Sequence, residues 1–441
     1  MSASYRQMWE KLGLDLAAHD LLLQALPPTY GEVYLNQENR PAAMEYFDFV
    51  VAEIHGQRIQ ELQEHKARGG KVVGTFCVFV PEEIVRAAGG ICIGLCSGVE
   101  MGAGLVEKVL PGSVCPLIKS FMGFKLARVC PYFESCDLVV GETTCDGKKK
   151  AFEILGDYVP VHVMEVPQMK RDKDFALWQS EVLDFLARTE ELTGQKVTAE
   201  SLRRAVREVN AKRRALLRLA GLRKNSPAPI SGKDSLLIEQ IAMYDDVERF
   251  TAKVHELCAE LEARVARKEG VKGEEAPRIV ISGTPLAIPN WKVPHLVESA
   301  GAVIVAEELC TGLRYFQNLV PEDGAGIPEI VAGIAKRYLQ TNCACFTPNP
   351  GRAEDLVALA REYRADGIIH CSLVFCDPYL IEANRIEKIL AEHGIPLLKI
   401  ETDYGQGDAG QLKTRVEAFL EMLKERRAIS PTVASLSSPP R

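Results

Sequence analysis

KVVGTFCVFV (71–80) is the first of four short runs rich in β-branched residues, and it is followed by GICIGL (90–95), DLVVGETT (137–144) and VHVMEV (161–166). Helical or glycine-marked stretches separate these runs. Strands that alternate with helices are typical of a parallel sheet that helices cover on its faces. The sequence therefore predicts an α/β domain in this region.

The same pattern returns in the second half of the chain, after the charged, glycine-containing linker KEGVKGEEAP (268–277). The predicted strands there are RIVISGTP (278–285), AVIVAEEL (302–309), GIIHCSLVF (367–375) and PLLKIETDY (396–404), and helices are predicted near 326–340, 352–364, 378–392 and 410–427. We therefore predict an α/β protein with two Rossmann-like parallel-sheet domains.

An additional helical domain is predicted between the two sheets. Residues 172–266 contain no convincing strand, and their apolar residues recur at helical spacing, as in DFALWQSEVLDFLARTEEL. The predicted organisation is an N-terminal helical segment (1–68), a first α/β domain (69–171), a helical domain with its linker (172–277), a second α/β domain (278–427) and a disordered tail rich in Ser and Pro (428–441).

Composition narrows the classes of function. The 441 residues carry a formal net charge of −7. This charge argues against electrostatic binding to nucleic acid or to anionic lipid, since both kinds of binding depend on clustered Lys and Arg. No apolar run is long enough to read as a membrane span, and the N-terminal residues do not resemble a signal peptide. We expect a cytoplasmic protein whose partners are small molecules and other proteins.

The thirteen cysteines require an explanation. A reducing compartment disfavours structural disulfides, and the number is odd, so metal binding is the leading interpretation for some of them. The alternative for any one cysteine is that it packs as a small hydrophobic residue.

Six cysteines lie where a ligand site is expected. In open α/β sheets, ligands bind outside the carboxyl ends of the strands, and three cysteines follow predicted strands directly. A fourth precedes a proline at a predicted helix start, where backbone N–H groups favour a thiolate, and two more lie in the loop TNCACFTPN. The predicted ligands are Cys115, Cys145, Cys310, Cys343, Cys345 and Cys376.

The other seven cysteines are interpreted mainly as core residues. Cys77 and Cys371 lie inside predicted strands and Cys258 on a predicted helix. Similar packing is expected for Cys92, Cys130 and Cys136. Cys96, in GLCSGVE at a strand exit, is a reserve ligand that could replace Cys343 or Cys345.

Local spacing excludes the commonest metal motifs. No C-x-x-C occurs, which excludes the usual zinc knuckle and the cysteine run of bacterial ferredoxins, so the ligands must converge from distant segments. Ligation by thiolates alone suits an iron–sulfur cluster better than a site for a hard cation.

Three further motifs have competing interpretations. Gly405, Gly407 and Gly410 form a G-x-G-x-x-G pattern, but the second strand of the required βαβ unit is absent, and no P-loop pattern occurs. Lys148, Lys149 and Lys150 are interpreted as a solvated basic cluster, with a role in balancing cluster charge or docking a partner as the alternative. His370 is predicted to be a core residue.

Taken together, CPLIKS (115–120), ETTCDGKKK (142–150), EELCTG (307–312), CACFTPN (343–349), FCDPY (375–379) and IETDYGQGD (400–408) resemble the iron–sulfur component of the 2-hydroxyacyl-CoA dehydratase and benzoyl-CoA reductase family. The resemblance covers nearly the whole chain. It implies two α/β domains with a helical part, and a [4Fe-4S] cluster held by Cys115, Cys145 and Cys376.

The additional cysteines Cys310, Cys343 and Cys345 resemble the double-cubane branch of that family. This resemblance implies a double-cubane [8Fe-9S] cluster with six cysteine ligands, an oxygen-sensitive protein of anaerobic metabolism, a homodimer, and a separate ATP-hydrolysing iron–sulfur reductase as electron donor. Which cysteine binds which cubane stays open.

Three functions are compared on this basis. The first is an oxidoreductase component that reduces a small molecule in an ATP-dependent way. The second is a 2-hydroxyacyl-CoA dehydratase subunit, a lyase with a single [4Fe-4S] cluster, and the third is a non-enzymatic electron carrier. Six candidate ligands favour the first. The sequence assigns neither the physiological substrate nor a catalytic acid or base.

Overall fold

The computed structural model describes the backbone of residues 3–436 and the side chains of residues 5–428. Its first half is built on a four-stranded parallel sheet in the order β2-β1-β3-β4. The strands are β1 (Val72–Thr75), β2 (Ile91–Gly94), β3 (Leu138–Glu142) and β4 (Val161–Met164). Because β1 and β3 are fully buried, this pair forms the centre of the first α/β domain.

The second half repeats this arrangement, with a parallel sheet in the order β6-β5-β7-β8. Its strands are β5 (Arg278–Gly283), β6 (Val303–Glu308), β7 (Gly367–Leu373) and β8 (Leu397–Thr402). In each sheet the strand order reverses between the two central strands, which are β1 and β3 in the first sheet and β5 and β7 in the second. This position is the topological switch point of the sheet. The prediction of two Rossmann-like domains is confirmed, and each has the crevice in which open α/β sheets bind ligands.

Helices precede the first sheet and cover both sheets. Before β1 lie α1 (Ala3–Lys11), α2 (Leu16–Tyr30), α3 (Glu45–Ala52) and α4 (Gln57–Ala67), with a π-helical segment (Gly31–Leu35) and a 3-10 turn (Ala42–Met44). In the first α/β domain lie α5 (Glu82–Ala87), α6 (Ala103–Val106), α7 (Pro116–Leu126), α8 (Pro131–Ser135) and α9 (Asp146–Leu155).

The region between the sheets is helical, as predicted. It contains α10 (Asp172–Thr193), α11 (Ala199–Leu222), α12 (Gly232–Ile241) and α13 (Val247–Ala266). The helices of the second half are α14 (Lys292–Ser299), α15 (Leu313–Phe316), α16 (Ile327–Leu339), α17 (Pro350–Glu362), α18 (Asp377–Glu392) and α19 (Ala409–Leu436). None of the helices in the described part of the chain is both long and apolar enough to cross a membrane.

Helix α11 joins the two α/β domains through buried charges. Arg213 Nη1 lies 2.6 Å from Glu83 Oε1 at the start of the first domain, and both side chains are fully buried. Just after the same helix, Arg223 Nη1 lies 2.5 Å from Glu307 Oε2, on β6 of the second domain. Removing one partner would leave a buried charge unpaired, so these pairs oppose movement of the domains relative to α11.

The structure corrects one predicted strand and extends one predicted helix. The run 71–80 was predicted to be a strand, but β1 ends at Thr75, because pairing with β2 and β3 spans only these residues. The apolar residues that follow are buried in a connection to α5. Helix α19 continues to Leu436, so it includes the first residues of the predicted tail. Residues 437–441 of that tail lie outside the described residues.

Candidate metal centre

Three of the six predicted ligands meet at the starts of helices. Cys115, Cys145 and Cys376 are the N-cap residues of α7, α9 and α18, and we call them the outer cysteine set. A proline occupies the first turn of α7 and of α18. Proline is tolerated there because the N–H that it lacks would have no partner within the helix. Because a helix N-terminus carries partial positive charge, all three positions favour thiolates.

The outer cysteines contact one another and their helices. The thiols of Cys115 and Cys376 are hydrogen-bonded, which lowers the pKa of Cys115 and raises that of Cys376. The Cys145 sulfur accepts a hydrogen bond from the Lys148 backbone N–H at 3.4 Å. Burial nevertheless raises the pKa of Cys145, and negative charge on Cys145 raises that of Cys376 further. The structure thus brings together three half-buried sulfurs from both α/β domains.

A second collection of thiols lies deeper and includes a residue that was not among the predicted ligands. Cys310 follows β6, and Cys343 and Cys345 lie in the loop between α16 and α17. Cys77, two residues beyond β1, is hydrogen-bonded to Cys310. We call these four residues the inner cysteine set. Cys310 and Cys343 are buried, and the other two are half-buried.

The inner cysteines are hydrogen-bonded in two pairs. Hydrogen bonding between Cys77 and Cys310 lowers the pKa of Cys310 and raises that of Cys77. In the same way, the hydrogen bond from Cys345 lowers the pKa of Cys343 to about 5, with help from the charge of Arg314 and the hydroxyl of Tyr379. Thiols that readily lose a proton are suited to metal binding, because the thiolate is the ligand.

Arg314 supplies a fixed positive charge to the inner set. Its Nη1 lies 3.7 Å from Cys310 Sγ and also contacts the Tyr379 hydroxyl, which is 3.5 Å from Cys343 Sγ. Glu308, on β6, holds the guanidinium through an Nε–Oε1 contact of 2.5 Å. The Glu308 carboxylate also faces Arg352, and these two cations bring the pKa of Glu308 down to about 2 despite its burial.

Lys148 acts electrostatically on a cysteine of each set. Its side chain is buried and pairs with the fully buried Glu142 of β3. Its positive charge lowers the pKa of Cys115 in the outer set and acts in the same direction on Cys77 in the inner set. The interpretation of residues 148–150 as a solvated cluster is therefore wrong for Lys148. It fits Lys150, whose side chain is 78% exposed.

The strand predicted through Cys77 is wrong, because β1 ends before it, but its side chain packs against the hydrophobic core, as predicted. No local signal in the sequence separates Cys77 from the strand, since the helix start that Pro81 and the acidic residues after it mark lies further along the chain. Cys96 remains a neighbour rather than a member of either set. Its thiol donates to the Phe76 carbonyl at 2.7 Å, and burial raises its pKa to about 12.

The remaining cysteines belong to neither set. Cys371, on β7, and Cys258, on α13, are buried among apolar side chains, and burial raises the pKa of each to about 12. Burial likewise raises the pKa of Cys92, Cys130 and Cys136. His370, on β7, is also buried, as predicted, and burial lowers its pKa to about 3.

The donor set suits an iron–sulfur cluster rather than a single ion. Among the described residues, no three His, Cys, Asp or Glu side chains are grouped closely enough to hold one metal ion. A cubane presents several irons to its ligands and therefore needs thiolates at wider spacing. Seven sulfurs from strand ends, helix starts and one loop, with Lys148 and Arg314 beside them, fit that requirement.

Comparison with known proteins places the chain in a family. The model of the family "2-hydroxyglutaryl-CoA dehydratase, D-component" matches residues 77–423. The chain is 40% identical to a protein from Escherichia coli (strain K12) named "Putative dehydratase subunit YjiM", over 81% of this chain and 93% of the relative.

Two more distant relatives are enzyme subunits of different reaction classes. The chain is 25% identical to the (R)-phenyllactyl-CoA dehydratase beta subunit of Clostridium sporogenes, over 80% of this chain and 92% of the relative. It is 23% identical to one of the subunits of benzoyl-CoA reductase from Thauera aromatica, over 80% of this chain and 91% of the relative. The chain therefore belongs to the 2-hydroxyglutaryl-CoA dehydratase D-component family, whose members include subunits of dehydratases and of benzoyl-CoA reductase.

Proposed function

We propose that the protein is the iron–sulfur component of an oxidoreductase, which reduces a small molecule at a double-cubane [8Fe-9S] cluster. The observation that carries this proposal is the presence of two cysteine sets that share the buried cation Lys148 and come from strand ends, helix starts and one loop of the two α/β domains. A single [4Fe-4S] cluster needs only one of them. The outer set supplies three thiolates to one cubane, and the inner set supplies the ligands of the other.

The inner set contains one more thiol than a second cubane with three protein ligands requires. Cys310 interacts with Cys77 and is near Cys343, while Cys345 contacts Cys343. Cys77, Cys310, Cys343 and Cys345 therefore compete for three ligand positions. In this proposal, the fourth thiol remains beside the cluster as a hydrogen-bonding neighbour.

The buried charges around the sulfurs support this role. A cluster ligated only by thiolates and sulfide carries negative charge, and burying that charge is costly without nearby cations. Lys148 faces both sets, and Arg314 faces the inner set. These cations stabilise the cluster and favour its acceptance of electrons.

The test is the iron content of anaerobically purified protein. Two cubanes correspond to about eight irons per chain, and the dehydratase-type site to about four. We expect about eight, with none of the outer cysteines and at most one of the inner cysteines open to alkylation while iron is bound. Four irons, with the inner cysteines freely alkylated, would instead assign the chain to the lyase alternative.

Electron supply is proposed to come from a separate ATP-hydrolysing iron–sulfur reductase, because the sequence contains no P-loop pattern. The purified protein alone should not hydrolyse ATP. Reduction of the cluster to its active state should require the reductase, ATP and a strong reductant together. ATP hydrolysis by this chain alone would contradict the division of labour. We also propose a homodimer, which light scattering of the anaerobic protein would test.

A further inference from the structure

A cavity of about 280 Å³ reaches the inner cysteine set, and its lining includes Cys77 and Cys310. Side chains from four parts of the chain form its walls. They include Leu26 of α2, Leu95 after β2, Met243 after α12 and Ile288 after β5. Ala25 and Thr29, on the exposed face of α2, also line it, so α2 forms its mouth.

The lining is uncharged. Among the described residues that form the cavity there is no Asp, Glu, Lys or Arg, although charged residues surround the cysteine sets elsewhere. The one titratable base in the lining is His55, and burial lowers its pKa to about 3, so it is neutral near pH 7. An anion entering this space would lose its hydration without gaining a counter-charge, and a cation would find no carboxylate in the walls, so the lining favours neither.

The walls also contain three tyrosine side chains. Tyr132, Tyr244 and Tyr404 line the cavity, and their hydroxyls have no hydrogen-bond partner among the described residues. Burial raises the pKa of all three well above the usual value, so each hydroxyl keeps its proton. Tyr404 is close to the sulfurs, because negative charge on Cys115 and Cys96 affects it. Buried hydroxyls without partners require either water or a ligand.

The size of the cavity limits what it can hold. Pockets for drug-sized ligands span roughly 300–1,000 Å³, so this space suits a molecule at or below the small end of that range. The nucleotide of coenzyme A is larger and carries several phosphates, which would need cations that this lining lacks.

We propose that this cavity is the substrate site, and that its ligand is a small, uncharged molecule of low polarity with at least one hydrogen-bond acceptor. This inference rests on the proposed function, because it places the ligand beside sulfurs of the inner cysteine set. The apolar walls exclude ions, α2 controls entry, and the tyrosine hydroxyls orient the acceptor atom.

The test uses Cys96 and Cys130, which line the cavity and belong to neither cysteine set. The iron-loaded protein is treated with a neutral methylthiolating reagent, methyl methanethiosulfonate, or with its anionic sulfonatoethyl analogue, each of which forms a mixed disulfide with the cysteine and releases methanesulfinate. Modification at each cysteine is followed by mass spectrometry, and the rates are divided by those for free cysteine. We expect the neutral reagent to be favoured at least tenfold at both cysteines.

A matched pair of variants tests the route of entry. Ala25→Trp places a bulky side chain at the mouth, whereas Ala17→Trp places the same side chain at an exposed position of α2 that does not line the cavity. Ala25→Trp should slow modification by the neutral reagent at least fivefold, and Ala17→Trp should leave it unchanged. Equal normalised rates for the two reagents, or equal rates for the two variants, would overturn the proposal.

The iron content of the same preparations keeps the two proposals separate. A protein with about four irons that still discriminates between the reagents would contradict the double cubane but retain the neutral cavity. A protein with about eight irons and no discrimination would retain the double cubane and contradict the cavity.

Discussion

Arg314 Nη1 lies 3.7 Å from Cys310 Sγ, and both residues are buried in the second α/β domain. The guanidinium reaches this position because Glu308, at the end of β6, contacts its Nε at 2.5 Å. The Gly283 and Glu308 carbonyls accept hydrogen bonds from its Nη2. The buried Arg314 guanidinium thus links the carboxyl end of β6 to Cys310, the first cysteine after that strand.

The first prediction concerns this cation. Arg314→Gln should lower the free energy of unfolding by about 3–5 kcal/mol, because Glu308 would lose one of its two buried cations. Arg314→Lys should cost less, since it keeps the charge but loses the several N–H donors that the guanidinium directs at Glu308, Cys310 and the two carbonyls. Denaturant unfolding under anaerobic conditions measures both. Arg361→Gln, on the exposed face of α17, is the control, and a loss as small as that control's would contradict the prediction.

The second prediction concerns Lys148, which acts on a cysteine of each set, and Glu142, its buried ion-pair partner. Lys148→Gln should make the reduction potential of the bound cluster more negative by tens of millivolts, because a cation that stabilises the added electron is lost. Glu142→Gln should shift the potential in the opposite direction. Anaerobic redox titration followed by electron paramagnetic resonance measures these shifts.

Lys150→Gln is the matched control for this pair, because the Lys150 side chain is 78% exposed and faces Glu153 at the surface. It should leave the potential unchanged. Shifts of the same sign for Lys148→Gln and Glu142→Gln would show that the two charges do not act on the cluster electrostatically.

The strands, the helices and the outer cysteine set could be predicted because they follow local rules. Cys115, Cys145 and Cys376 each stand where a chain leaves a loop or strand and begins a helix, and proline or a strand end marks that place in the sequence. The same rules located Cys310 after β6. The position of a residue can therefore be predicted from the sequence when it depends only on residues nearby in the chain.

Cys77 and Lys148 could not be placed in the same way. β1 ends at Thr75 because of pairing with β2 and β3, and the apolar residues beyond it look like a continued strand. Lys148 is one of three consecutive lysines, and only the packing of α9 against β3 buries it beside Glu142. Both positions depend on contacts between elements that are distant in the sequence.

The third prediction concerns pH. Burial lowers the pKa of His55 to about 3, whereas an unfolded histidine titrates near about 6.5. Below pH 6.5 the unfolded state therefore binds a proton that the folded state does not bind, and the free energy of unfolding falls as the pH falls. His55 should contribute a slope of up to about 1.4 kcal/mol per pH unit between about pH 6 and pH 4.

His55→Gln should remove this contribution and flatten the dependence in that range. Denaturant unfolding at several pH values measures the slope. His255→Gln, at an exposed position of α13, should leave the slope as it is in the unaltered protein. An unchanged slope in His55→Gln would show that His55 is protonated in the folded protein.

The last prediction concerns the ligands. The iron bound per chain should fall in each of four variants, because each removes a sulfur from a shared site. These variants are Cys115→Ser, Cys145→Ser, Cys376→Ser and Cys310→Ser. Cys77→Ser should also lower it if Cys77 is one of the three inner ligands. Iron-loaded Cys77→Ser with an unaltered spectrum would leave Cys310, Cys343 and Cys345 as the inner ligands.

The matched controls are Cys258→Ala and Cys371→Ala, which remove buried sulfurs that belong to neither set. Both controls should lose some stability, through the cavity left in the core, but keep their full iron content. Full iron content in Cys310→Ser would remove Cys310 from the ligands and leave Cys77, Cys343 and Cys345 as the inner three.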